Sequence, residues 1–283
     1  MKSFSKMMKQ KYKETKKSSI AIYLILRILV IVCAVLEFFK GNYMNTLLCG
    51  LSLILFTLPT LIKEKFKIEL PNTLEAIIYL FIFSAEILGE INNFYKVIPY
   101  WDTILHTLNG FLCAGVGFAL IDLLNNNSKN INLSPMYVAI VAFCFSMTIG
   151  VCWEFFEYSV DKLVNSDMQK DRIVRSISSV ELNPNGENKP IVVDNIEATE
   201  IKKQNGEIVI IENGYLDIGI NDTMKDLFVN LIGAIVFSIF GYMYINNRKK
   251  NKFASNFIPK RMENWNMTIL WIFIKIAITY WLC

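Results

Sequence analysis

A single histidine occurs among the 283 residues of this chain, and an aspartate precedes it by one helical turn. Asp102, His106, Asn109 and Cys113 fall at i, i+4, i+7 and i+11, the spacing of one stripe along an α-helix. Glu154, Glu157 and Asp161 follow at i, i+3 and i+7, and Asp222, Asp226 and Asn230 at i, i+4 and i+8. Glu37, Glu86 and Glu90 are three more carboxylates set in apolar runs. Imidazole changes charge near neutral pH, and a carboxylate one turn away can fix its tautomer while the other ring nitrogen ligates or moves a proton. Carboxylates gathered in one place either share protons or surround a cation. General acid/base work and divalent-metal binding are the chemistries these residue types offer.

The elements that position them are membrane-spanning helices. With 53% hydrophobic and 19% charged residues and a mean hydropathy of +0.37, the chain carries about 150 apolar residues, more than one soluble domain of this length buries. A bilayer span takes roughly 20 of them. Seven apolar segments meet that need: 20–38, 43–62, 72–91, 101–124, 136–160, 223–245 and 267–283. The net charge of +4 comes from lysines and arginines clustered between apolar runs, a pattern of membrane insertion that argues against a nucleic-acid partner. Seventeen of these cations lie before span one and in the second, fourth and sixth connections, whereas the short loops of the opposite side hold Lys40 and Lys96. The positive-inside rule then places the N-terminus, 1–19, and the basic loop 246–266 in the cytoplasm. The first apolar run is span-length and lacks a small-residue cleavage site, so it reads as a retained signal anchor.

The connection 161–222 falls on the outer face under this orientation, and its composition changes. Asn183-Pro184-Asn185-Gly186, Asn205-Gly206 and Asn213-Gly214 are turn signals. Between them, Ile191-Val192-Val193 and Ile208-Val209-Ile210-Ile211 predict short strands, with a hairpin turned near Asn205-Gly206. The fold class expected is thus an all-α polytopic bundle of about seven transmembrane helices with a small β-rich extracytoplasmic insertion. The six cysteines all lie in or beside apolar runs without CxxC spacing, which makes them small buried residues and not a disulfide framework.

Carboxylates facing lipid cost at least ~2 kcal/mol each on insertion scales, so three polar stripes on spans four, five and six should face one another near the outer ends. Helix dipoles favour Asp102 and Asp222 at N-terminal ends but disfavour Glu37, Glu86, Glu90, Glu154 and Glu157 at C-terminal ends, which leaves the second group in need of a cation or a shared proton. Plainer roles exist for several of these residues. Thr223 with Asp226 fits a capping box, and Asp102 and Asp222 suit helix caps as well. Tyr100, Trp101, Trp153 and Tyr158 fit an interfacial aromatic belt. Gly110 with Ala114, and Ala234 with Ser238, are small-xxx-small pairs suited to close helix packing.

Tyr100-Trp101-Asp102-Thr103-Ile104-Leu105-His106, Trp153-Glu154-Phe155-Phe156-Glu157 and Asp222-Thr223-Met224-Lys225-Asp226, followed by Asn230 and Gly233, form an ordered D-x-x-x-H, E-x-x-E, D-x-x-x-D set. This set resembles the YjdF-type bacterial inner-membrane protein family and, more distantly, the VanZ-like membrane proteins, over residues 86–244. The resemblance implies a small helical membrane domain of the bacterial cytoplasmic membrane whose shared polar residues fall on Asp102, His106, Glu154, Glu157, Asp222 and Asp226. Through the VanZ-like proteins, linked to glycopeptide-antibiotic resistance, it also implies work on cell-envelope lipids or lipid-linked precursors. The long loop 161–222 departs from the compact family pattern.

Residues and resemblance together lead to one expectation and two rivals. The expectation is an outer-leaflet site that binds or processes a lipid or lipid-linked headgroup with a divalent metal ion. In it His106 is acid/base or ligand, Asp102 its orienter, Glu154, Glu157 and Asp226 ligands or proton acceptors, and Asp222 a further ligand. The rivals are a proton- or ion-coupled transporter, which needs polar groups reaching the inner side, and a non-catalytic assembly protein whose polar residues hold helices together.

Overall fold

The computed structural model describes residues 17–66, 68–127, 132–165, 167–246, 257 and 260–261. The expected last span, 267–283, and most of the basic loop before it lie outside these residues. The protein is mostly helical, and among the described residues five helical stretches are long and apolar enough to cross a membrane: Ile20–Phe39, Tyr43–Lys65, Trp101–Asp122, Pro135–Leu163 and Ile220–Asn246. The chain divides into two compact units, 1–148 with 229–283, and 149–228.

In the first unit, α1 (Lys17–Phe39) leads through a tight turn into α2 (Tyr43–Leu55) and α3 (Leu58–Phe66). The second expected span is interrupted between α2 and α3, at Phe56–Thr57, because Pro59, the second residue of α3, has no N–H to donate back to the Leu55 carbonyl. Glu37 sits at the α1–α2 turn, where it accepts from Lys40 Nζ at 2.7 Å, Asn42 Nδ2 at 3.0 Å and Asn45 Nδ2 at 2.9 Å. That carboxylate fastens a hairpin. Along α1, Leu24, Ile25, Ile28, Val32 and Val35 recur at helical spacing and are exposed, the pattern of a face turned to lipid. The opposite face packs Leu26 and Val30 against Cys49, Phe56, Tyr79 and Ile82.

The third expected span is divided too. Strand β1 (Ile68–Glu69), paired antiparallel with β8 (Lys260–Arg261), precedes α4 (Asn72–Ile82), which continues as a π-helix over Phe83–Ile91. A short helix α5 (Phe94–Val97) and two left-handed residues, Asn93 (φ 57°) and Tyr100 (φ 64°), then turn the chain into α6 (Trp101–Asn127). Helix α7 (Pro135–Val164) opens with proline in its first position, where no N–H is needed, and Ser134 Oγ accepts from Tyr137 N at 3.2 Å. Helix α8 spans Ile220–Asn246.

Two glycines let α6 and α8 touch backbone to backbone. A Cβ on Gly110 would stand 2.1 Å from the Asn230 carbonyl oxygen, and one on Gly233 would stand 2.0 Å from that of Thr107. Below this crossing Ala114, Phe118, Val138, Ala142, Ala234 and Phe237 form a fully enclosed apolar cluster. The small residues picked out by their spacing therefore do serve packing, with Ala114 and Ala234 inside the cluster.

The second unit holds the later turns of α7, the first turns of α8 and the intervening lobe. Its strands β2 (Arg172–Val174), β3 (Ile177–Ser179), β4 (Ile191–Val193), β5 (Ala198–Lys202), β6 (Ile208–Glu212) and β7 (Tyr215–Asp217) pair antiparallel as β2 with β7, β3 with β4 and β5 with β6. The expected hairpin at Asn205-Gly206 is present: Gly206 takes φ 86°, and Lys203 N donates to Glu207 O at 2.8 Å. The lobe is stitched to its flanking helix ends, since Asp161 accepts from the Met168 and Gln169 amides at 2.6 and 2.8 Å.

Candidate functional site

In the first unit the site begins at the start of α6. Asp102 stands in the first helical turn, where the dipole favours a carboxylate. One turn on, His106 Nε2 lies 3.3 Å from Asp102 Oδ1, with the side chains 11% and 23% exposed. This geometry suits Asp102 to orient the ring and leaves Nδ1 as the nitrogen facing away from that carboxylate.

The rest of the α6 stripe is structural. Asn109 Nδ2 donates to Asn230 Oδ1 at 3.2 Å, and the buried Asn230 turns its Nδ2 toward Met147 Sδ at 3.7 Å. Cys113 Sγ approaches Asn109 Oδ1 at 3.5 Å, and Ser146 Oγ donates to the Gly110 carbonyl at 2.7 Å. These groups make a polar layer at the α6–α8 crossing, and the enclosed Ala114–Phe118–Phe237 cluster follows directly below it. Glu86 and Glu90 lie within the π-helix of the same unit, Glu90 exposed.

The second unit carries the remaining candidates. Glu154 and Glu157, on α7, are buried, and Glu157 Oε1 accepts from the Trp153 indole at 2.8 Å. Trp153, expected as an interfacial anchor, is thus also the partner of a buried carboxylate one turn away. Asp222 and Asp226 are buried on one face of α8. Asp222 accepts from the Lys170 amide at 2.9 Å and from Arg172 at 2.8 Å, while Lys225 Nζ stands 3.7 Å from Asp226 Oδ1. The capping-box reading of Thr223 with Asp226 does not hold, because α8 begins at Ile220 and Asp217 Oδ2 serves its start by accepting from Asn221 N at 2.9 Å.

Arg172 was not singled out by the sequence reading. Its partner is fifty residues away, and no local spacing announces the pair. Trp101 was read as an anchor, yet its Nε1 donates to the Ser84 carbonyl at 3.2 Å, a bond between the π-helix and the residue just before Asp102.

Comparison with known proteins gives a family and one relative. A family model described as a predicted membrane protein (DUF2238) matches residues 21–247. The YjdF-type resemblance fits that match, while the VanZ-like likeness rests on the motifs alone. Over 96 residues the chain is 28% identical to an uncharacterised protein of Thermotoga maritima, covering 34% of this chain and 48% of that protein. The chain thus matches about half the length of that relative. No solved structure matches.

Proposed function

The chain belongs to the DUF2238 family of predicted membrane proteins, and from that premise we propose that it is a bacterial cytoplasmic-membrane protein with a divalent-metal site centred on His106, which Asp102 orients. Residue type and helical spacing in the sequence assign Asp226, Glu154 and Glu157 to the same site as further ligands or proton acceptors. Asp222, held by Arg172 and the Lys170 amide, has a supporting part. The substrate in this reading is a lipid or lipid-linked headgroup in the outer leaflet, and the N-terminus is cytoplasmic, as the distribution of lysine and arginine favours.

The observation that supports the site is the pair at the start of α6, where His106 Nε2 lies 3.3 Å from Asp102 Oδ1 and both side chains are largely withdrawn from solvent. Carboxylate oxygens with one imidazole suit a divalent ion such as Mn²⁺ or Zn²⁺. When bound, such an ion supplies a Lewis acid for a phosphoryl or carbonyl oxygen. Asp102 fixes the ring of His106, which leaves Nδ1 as the atom that ligates or exchanges a proton.

A transport path finds less support. Between His106 and Asp122 the α6 sequence has no carboxylate, lysine or arginine, and the enclosed aromatic and alanine cluster fills that level. Metal analysis of the full-length protein purified in detergent tests the proposal, with wild type beside His106→Ala, Asp226→Asn and Glu154→Gln. A stoichiometric divalent ion in wild type that is lost in all three is expected. No metal in wild type after incubation with Mn²⁺ and Zn²⁺ would refute the site. Ion flux in proteoliposomes that depends on Glu154 and Glu157 would install transport in its place. Variants that lose stability alone, with metal content intact, would favour the assembly role.

A further inference from the structure

We infer that Trp101 is a positioning residue: its hydrogen bond to the π-helix at Ser84 holds the first turn of α6 so that Asp102 stays within reach of His106. The inference deepens the metal-site reading, on which its affinity arm rests. Helix ends fray, because the first four amides have no intrahelical partner and the first turn opens at little free-energy cost. Asp102 is the second residue of a 27-residue helix, so the carboxylate that faces His106 stands on the part of α6 most prone to open. The residue before the helix, Tyr100, is left-handed (φ 64°) and highly exposed. The first turn therefore needs a tether from elsewhere in the chain.

The π-helix provides it. Runs of π-helix are rare and concentrate at functional sites, and this one spans nine residues, Phe83–Ile91. Its Gly89 lets Tyr95 lie against the backbone, where a Cβ would come within 2.4 Å of the ring. Asn92 closes the segment by donating from its side chain to the Ile87 carbonyl at 2.6 Å. The left-handed Asn93 and the short helix α5 then fold the chain back, so that the Trp101 indole reaches the Ser84 carbonyl seventeen residues earlier. Phe94 meets the same indole edge to face at 5.1 Å. One side chain is thus gripped by a directed bond and an aromatic contact, and the next residue is Asp102, 3.3 Å from His106 Nε2.

Because His106 is the one histidine of the chain, ¹⁵N-histidine labelling gives a single imidazole spectrum that reports its tautomer without any ligand. Trp101→Phe keeps the ring beside Phe94 and removes the donor. The expected result in the full-length, detergent-purified protein is a shift of His106 from predominantly Nε2–H in wild type to a mixture of tautomers, together with a roughly threefold to tenfold weaker affinity for Mn²⁺. Thr199→Val, which removes the bond from Thr199 Oγ1 to the Gly214 carbonyl (2.8 Å) within the β lobe, serves as the control that lowers stability without touching the π-helix or the start of α6. A Trp101→Phe spectrum identical to wild type overturns the inference, as does a tautomer shift of equal size in Thr199→Val. Absence of Mn²⁺ binding in wild type removes the metal reading, while the tautomer arm still decides whether Trp101 positions the pair.

Discussion

Replacing Gly110 by alanine tests the helix crossing beneath the site. The added methyl would stand 2.1 Å from the Asn230 carbonyl oxygen and 2.8 Å from its carbon, both backbone atoms that no rotamer change can move. A carbon–oxygen contact rests near about 3.3 Å, so α6 and α8 must separate locally by roughly 1 Å. Overpacking of this kind costs about 1–3 kcal/mol. The same displacement stretches the Asn109–Asn230 bond, now 3.2 Å, and disturbs the Ser146 bond to the Gly110 carbonyl. Leaving a buried amide badly paired adds about 1–3 kcal/mol. The expected loss is about 2–6 kcal/mol, read as a shift in the unfolding midpoint when folded protein is titrated with SDS and followed by tryptophan fluorescence. Gly50→Ala is the matched control, because nothing lies within 4 Å of its added carbon, and an unstrained helical glycine gains about 0.5–1 kcal/mol on becoming alanine. Adding Gly233→Ala to Gly110→Ala should cost less than the sum of the two, since both force open the same crossing. A Gly110→Ala protein that unfolds at the wild-type midpoint would refute the close approach of the two backbones.

Three further outcomes follow from named contacts. Arg172→Met removes the side chain that reaches the buried Asp222 at 2.8 Å; with Arg172 itself 44% exposed the pair is worth roughly 1 kcal/mol, and limited proteolysis should cut the lobe between residues 165 and 219 faster than in wild type. Tyr79→Phe deletes the hydroxyl that donates to Glu75 Oε1 at 2.9 Å and should lower stability by about 1 kcal/mol in the SDS titration while leaving metal content unchanged. Partial desolvation, then the charges of Asp167, Asp161 and Asp217, hold the Asp171 carboxyl above its usual range. Its protonation therefore favours the folded lobe: that stabilisation is complete below the ordinary aspartate range and is lost as pH rises through the raised value. Asp171→Asn should accordingly resist proteolysis better than wild type at pH 7, with the two converging in acid; no difference at pH 7 would remove the repulsion from the account.

Hydropathy made the helices of the chain legible, since a bilayer imposes a length and a composition that few other demands share. The hairpin at Asn205-Gly206 was legible for an equally local reason, a turn that needs positive φ between two β-branched runs. The break at Phe56–Thr57 has its cause written in Pro59, whereas the π-helix has none that stands out, because nine residues cannot separate its period from that of an α-helix. The stripe from Asp102 to Cys113 was visible as a stripe, but its division into a carboxylate–imidazole pair and a packing layer depends on Asn230 and Ser146, partners on other helices. Capping by Thr223 and Asp226 was a sound local pattern overridden by Asp217, which ends β7 where α8 must start. The Asp222–Arg172 pair is the clearest case of chemistry that sequence hides, since strand pairing of β2 with β7 carries Arg172 to the start of α8.

The tip of the β5–β6 hairpin is a place where the chain can be opened at little expense to the helices. Residues 203–207 are all exposed, and each doubling of a loop's length adds only about 0.6 kcal/mol of closure entropy. An epitope spliced between Asn205 and Gly206 therefore becomes a handle on a 32.6 kDa membrane protein. Antibody staining of intact against permeabilised cells would then read its sidedness directly, and a bound antibody fragment would supply the mass and asymmetry that single-particle imaging of so small a particle requires.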